Sequence, residues 1–179
     1  NSSGAVTAGT PVRNTYGVRG MATGTTAGTA TAYGVYGSAT GADNNYALYS
    51  AGDTLATGSI RSNGGTSGIG YATGAGGTVT QITSKATGVT LNKACGTITM
   101  HNAALAAATI VSFTLTNSAI ASTDVVVIQH DSAGTLGAYT VSCNTMGAGS
   151  CNVTVRNATA GSLSQAIVLR FAVIKAVVS

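Results

Sequence analysis

The sequence predicts an all-β protein in two parts, a glycine-rich β shaft that needs three chains to close it, followed by a β-sandwich or jelly-roll-like C-terminal domain. Three observations carry this reading. Of the 25 glycines, 18 fall in residues 1–77 and 7 in residues 78–179. After Thr78 the apolar residues are β-branched and alternate with polar ones, the period of half-buried strands. Before it a short phrase recurs in a background of Gly, Ala and Thr: Tyr16-Gly17-Val18, Tyr33-Gly34-Val35 and Tyr46-Ala47-Leu48.

Residues 1–13, with Pro11, read as an incoming extended segment. The repeats follow at spacings of 17 and then 13 residues within a shaft ending at residue 53. Each offers one short strand, with Tyr16 and Val18, Tyr33 and Val35, and Tyr46 and Leu48 on a common face. Ordering glycine costs more backbone entropy than ordering any other residue, and small side chains return little burial. These six side chains are therefore expected to pack against other copies of the chain. The irregular spacing argues against a solenoid of fixed coil length, and the Gly/Thr content without heptads excludes a coiled coil. Residues 54–77, richer still in glycine, read either as a neck joining shaft to head or as a flexible linker.

In residues 78–179 strands are expected at 79–84, 89–91, 97–101, 111–116, 125–129, 138–142, 152–156 and 166–177. Spacing of about ten residues between Gly, Asn and Asp turns is the pattern of a sandwich. The run 166–177 is apolar on both faces, which places it centrally in a sheet or at a subunit interface. Arg170 interrupts it and needs an acidic partner, Asp124 or Asp131.

The charge pattern narrows the function. Eight basic residues against four Asp and no Glu give a net charge of +4. The basic residues are scattered, without the stripe a nucleic-acid surface needs. No run of about 18 apolar residues predicts a membrane span. Four aspartates in turn-like or strand-flanking settings do not make the carboxylate pair of a glycosidase; Asp124 and Asp131 lie roughly 23 Å apart along an extended chain. His130-Asp131-Ser132 alternate faces of a strand and cannot form a triad. No P-loop or nucleophile elbow is present, so neither enzymatic activity nor a cofactor is expected. Cys143 and Cys151 flank a Gly-containing loop and are placed to face each other across a hairpin, as a disulfide or as two reduced thiols. Cys95 and the two histidines lack metal-ligand spacing. Asn152-Val153-Thr154 and Asn157-Ala158-Thr159 match the glycan-acceptor triplet, a frequent accident in a Thr-rich chain.

The stretch 70–81, from Gly70-Tyr71-Ala72-Thr73-Gly74 to Thr78-Val79-Thr80-Gln81, continues through Thr87-Gly88-Val89-Thr90-Leu91-Asn92-Lys93 and Gly96-Thr97-Ile98-Thr99-Met100. Together with Gly161-Ser162-Leu163-Ser164-Gln165-Ala166 and the run to Ala176, it resembles the C-terminal domains of tailed-bacteriophage tail fibres. The resemblance covers about 110 residues. It implies a homotrimeric fibre whose shaft holds a β-rich tip away from the virion, and a tip that adheres to a bacterial surface receptor, either polysaccharide or outer-membrane protein. Other virion tail proteins are implied partners. A head or decoration fibre without a specific receptor, a bacterial trimeric adhesin and a depolymerase are the alternative classes. The expected receptor-contacting loops are 130–139 and 144–150, with His130, Asp131, Tyr139 and Asn144 as candidate contacts, Tyr139 either as an exposed ring for stacking on sugar or as an ordinary core tyrosine.

Overall fold

A computed structural model of the chain describes residues 48, 50, 54, 56–62, 65–66 and 68–177. The chain divides into two compact units, Asn1–Ile60 and Arg61–Ser179. In the first, Leu48 is 78 % exposed within its own chain. The other residues expected to pack a shaft, Tyr16, Val18, Tyr33, Val35 and Tyr46, lie outside the described residues.

The second unit is all-β. Eight strands form it: β1 (Gly76–Thr80), β2 (Val89–Thr90), β3 (Cys95–Thr99), β4 (Ile110–Thr116), β5 (Val125–Ser132), β6 (Tyr139–Gly147), β7 (Ser150–Asn157) and β8 (Val168–Ile174). They make two four-stranded sheets, β1-β3-β8-β5 and β2-β4-β7-β6, packed as a sandwich. Pairing is antiparallel except for β1 with β3 and β2 with β4, which are parallel. The alternation that predicts the strands also fills the core. On β4, Phe113 and Leu115 point inward while Ser112, Thr114 and Thr116 are exposed. On β8, Leu169, Phe171 and Val173 meet Ile98 from β3 and Val153 and Val155 from β7 in one buried cluster. β8 lies between β3 and β5, the central position expected of a strand apolar on both faces.

β1 begins at Gly76, earlier than the alternation suggests, because the glycine pair is needed for close approach. A Cβ on Gly77 would lie 3.0 Å from Leu91 Cδ1, and one on Gly96 opposite it would lie 2.5 Å from the Gly77 carbonyl oxygen.

The registers fix two ends. At the entry end lie residues 71–75 leading into β1, the connections 91–94 and 117–124, the β6–β7 hairpin, and residues 175–177 after β8. Tyr71 donates its hydroxyl proton to the Val173 carbonyl there. At the far end lie the connections 81–88, 100–109, 133–138 and 158–167. No helix among the described residues is long and apolar enough to cross a membrane.

Candidate functional site

The far end carries one charged residue in its four connections, Lys85, and that side chain is buried. The ammonium donates to the His101 and Gln165 carbonyls at 2.5 Å each, tying the 81–88 loop to two neighbours. Burial among apolar groups pushes its pKa below the usual lysine value. Gln81 Nε2 donates to the Lys85 and Thr87 carbonyls, and its Oε1 accepts the His101 N–H. This scaffold leaves Ile82 83 % exposed at the loop's surface.

Gln165 holds the second loop as well. Its Oε1 accepts from the Thr135 N–H at 3.0 Å and the Tyr139 hydroxyl at 3.2 Å, and its Nε2 donates to Thr135 Oγ1 at 2.9 Å. The 133–138 turn uses the left-handed region at Ala133 (φ 59), Gly134 (φ 67) and Gly137 (φ 81). A side chain on Gly134 would meet Ile167 Cγ2 at 2.7 Å, so the turn sits tightly on the sandwich. Leu136, at its surface, is 71 % exposed. Two loops distant in sequence are thus both tied to Gln165, and each presents one large exposed apolar side chain on a backbone that is already held, which limits the entropy lost on binding.

The expected contact residues distribute differently from the prediction. His130 caps the 133–138 turn, its Nε2 donating to the Ala133 carbonyl at 2.8 Å, and stacks edge-on against Tyr139 with centroids 5.7 Å apart. Asp131 accepts from Arg170 Nε at 2.8 Å and Nη2 at 3.0 Å, which supplies the acidic partner Arg170 needs. Tyr139 is not an exposed platform: it is 7 % exposed, its ring belongs to the core, and burial raises its pKa. The alternation of β6 turns position 139 inward, which rules out stacking on sugar. Asn144 lies on β6 toward the entry end, where its amide bonds Thr154, Thr145 and Asn152. The 130–139 and 144–150 segments therefore sit at opposite ends and cannot form one site.

Comparison with protein-family models, curated proteins and solved structures gives no match.

Cys143 and Cys151 come together as their spacing predicts, and both are free thiols. They face inward on adjacent strands with the Cys143 thiol directed at Cys151 Sγ, 2.7 Å away. The hydrogen bond to Cys151, aided by burial, holds the Cys143 proton and raises its pKa; the same bond lowers that of Cys151. Asn157, in the second acceptor triplet, is fully buried and donates to the Leu105, Ala106 and Gly161 carbonyls, so it is inaccessible to glycosylation in the folded chain. Among the described residues no three His, Cys, Asp or Glu side chains gather where they could hold a metal ion. Sequence reasoning passes over Ile82, Lys85 and Gln165, and reaches Leu136 only as a member of the 130–139 loop. The scarcity of charge in the four far-end connections, Lys85 apart, is visible in the chain, but the burial of Lys85 and the convergence of the connections require the structure.

Proposed function

We propose that this chain is part of a bacteriophage tail fibre that works as a homotrimer on the exposed end of the virion and attaches to the host cell surface through the far end of its sandwich. The polarity of the sandwich carries the reading. β1 is entered at one end, and the four connections at the opposite end carry no exposed charged residue and leave Ile82 and Leu136 exposed. Loops held by a rigid sandwich are a common placement for binding residues, and three copies on one fibre multiply a weak contact by avidity. The bacterial partner is a surface polysaccharide or an outer-membrane protein. The entry-end hairpin around Asn144 has no part in this contact.

Purified chain added to host cells should compete with phage adsorption. Ile82→Asp and Leu136→Asp together should abolish that competition, because each places a charge on a connection that carries no exposed one. Both side chains are solvent-exposed, so the fold is expected to survive, as circular dichroism would show. Undiminished competition by the folded double variant would sink the reading.

A further inference from the structure

Cys143 and Cys151 meet at an irregularity in the ladder between β6 and β7. Cys143 pairs with Val153, so Cys151 is its diagonal neighbour on the inward face of the adjacent strand. Diagonal neighbours of a regular antiparallel pair are about 7–8 Å apart, beyond the roughly 4.4–6.8 Å that a disulfide spans between Cα atoms. From Asn144 to Gly147, however, β6 takes one residue more than β7 takes from Asn152 to Ser150. Such a bulge bends its strand and tightens the local twist. Thr145 within it adopts a left-handed φ of 52°, and the two sulfurs lie 2.7 Å apart. The residues opposite them, Val153 and Leu115, are fully buried and apolar, a setting that suits an uncharged disulfide. The hairpin that the cysteines flank is seated on the entry end of the sandwich. The Gly149 carbonyl accepts the Asn117 N–H at 2.8 Å, and the Gly149 N–H donates to the Ile120 carbonyl at 2.9 Å. Asn117 Nδ2 donates in turn to the Lys93 carbonyl at 2.7 Å. Hydrogen bonds alone thus join the hairpin to the 117–124 and 91–94 connections.

We propose that Cys143 and Cys151 form a redox lock, closed by exchange with a small-molecule disulfide, that clamps the two legs of the β6–β7 hairpin and so fixes the entry end of the sandwich. The chemistry is thiol–disulfide exchange. Cys143 is half-buried and Cys151 is 2 % exposed, so the reagent meets Cys143 first. The Cys143 thiolate attacks one sulfur of oxidised glutathione, and one glutathione thiolate leaves. Cys151, already in contact, then attacks Cys143 Sγ as a thiolate and expels the second. The protein loses two S–H bonds and gains one S–S bond, while two protons and two electrons depart on two molecules of reduced glutathione. Cys95 lies on the other sheet, on the face opposite to that of buried Ile98, and takes no part. A chain made in a reducing compartment carries the lock open and closes it on reaching an oxidising one. The hairpin and the Ile82 and Leu136 surface are at opposite ends, so the attachment reading stands or falls separately.

The test uses the full 179-residue chain carrying Cys95→Ser, which leaves only this pair of thiols. It is equilibrated in buffers of rising oxidised-to-reduced glutathione ratio, quenched in acid, alkylated and weighed by mass spectrometry. The expected result is one step from two alkylated thiols to none, with no glutathione attached and no link between chains. Adding Cys151→Ser should halt the reaction with one glutathione on Cys143; a Cys143 that stays free there would overturn the stated order of attack. In hydrogen exchange, the Gly149 and Asn117 amides should slow by roughly tenfold on oxidation. Thiols that persist in excess oxidised glutathione, or that close only between chains, overturn the lock. Closure that leaves exchange at Gly149 and Asn117 unchanged overturns its hold on the entry end. If Cys95→Ser does not fold, counting thiols in the wild type answers the same question: a fall from three to one supports the lock, and any other count overturns it.

Discussion

At the scale of single residues, Lys85 has the clearest consequence for stability. Burial lowers its pKa from the ordinary 10.5, so between the lowered value and 10.5 the unfolded chain binds more protons than the folded one. Stability therefore rises with pH through that window. Tyr139 acts the other way above 10.0, because burial raises its pKa and ionisation then favours the unfolded chain. Denaturant unfolding at a series of alkaline pH values should show the rise, and Lys85→Met should flatten it. The same variant should cost about 1–3 kcal/mol at neutral pH, because the His101 and Gln165 carbonyls lose a donor. Asp124 has the mirror-image behaviour in acid. Its carboxylate accepts from Lys175 at 2.6 Å and from the Ala121 N–H at 2.8 Å, which hold its pKa below 3.8. Its contribution is present above that value and lost as the pH falls through the folded one, and Asp124→Asn should lessen the acid sensitivity. The Cys143 and Cys151 pair makes a third prediction. Diamide takes up two protons and two electrons and should convert the touching thiols to a disulfide, leaving Cys95 as the titratable thiol of the three. Closing so short a loop should stabilise the fold by about 2–3 kcal/mol.

At the scale of elements, the β1–β3 pair depends on two glycines without side chains to separate them. Gly96→Ala would press a methyl to 2.5 Å from the Gly77 carbonyl oxygen and 2.9 Å from Leu91 Cδ2, an overpacking that should cost about 1–3 kcal/mol in urea unfolding. Gly161→Ala, with nothing within 4 Å of its Cβ, should be close to neutral. The pair also shows what the sequence makes legible. Strand identity follows from local alternation, so β4 and β8 could be placed, and the acid–base partner of Arg170 narrowed to two, from the residues alone. Gly76 and Gly77 read as neck because their strand character comes from Leu91 and Cys95, which meet them only after β1 has paired in parallel with β3. Tyr139 reads both as part of the 138–142 strand and as the end of the 130–139 loop, and its inward orientation is settled by the register with Asn157 on β7. The candidate site was half legible. Loop 130–139 does reach the far end, but its joining to Ile82 runs through Lys85 and Gln165, 80 residues apart, and no local pattern announces that meeting.

At the scale of the whole molecule, the balance between net charge and a scarcity of acidic residues predicts how the proposed homotrimer responds to salt. Copies of a chain with net charge +4 repel one another at long range, and this repulsion is screened beyond roughly 10 Å at 0.1 M salt and 3 Å at 1 M. Ion pairs between copies would need acidic residues, and of the four in the chain Asp124 and Asp131 are already paired within it. Adding salt should therefore remove repulsion while leaving the attraction intact. Sedimentation from low ionic strength to about 1 M NaCl should show association constant or strengthening. Sulfate, excluded from the protein surface, should strengthen it further at equal ionic strength. An assembly held by ion pairs between copies would respond in the opposite sense, coming apart as salt rises. Dissociation of the wild type at high salt would place the interface on charged residues such as Arg156 or Lys93.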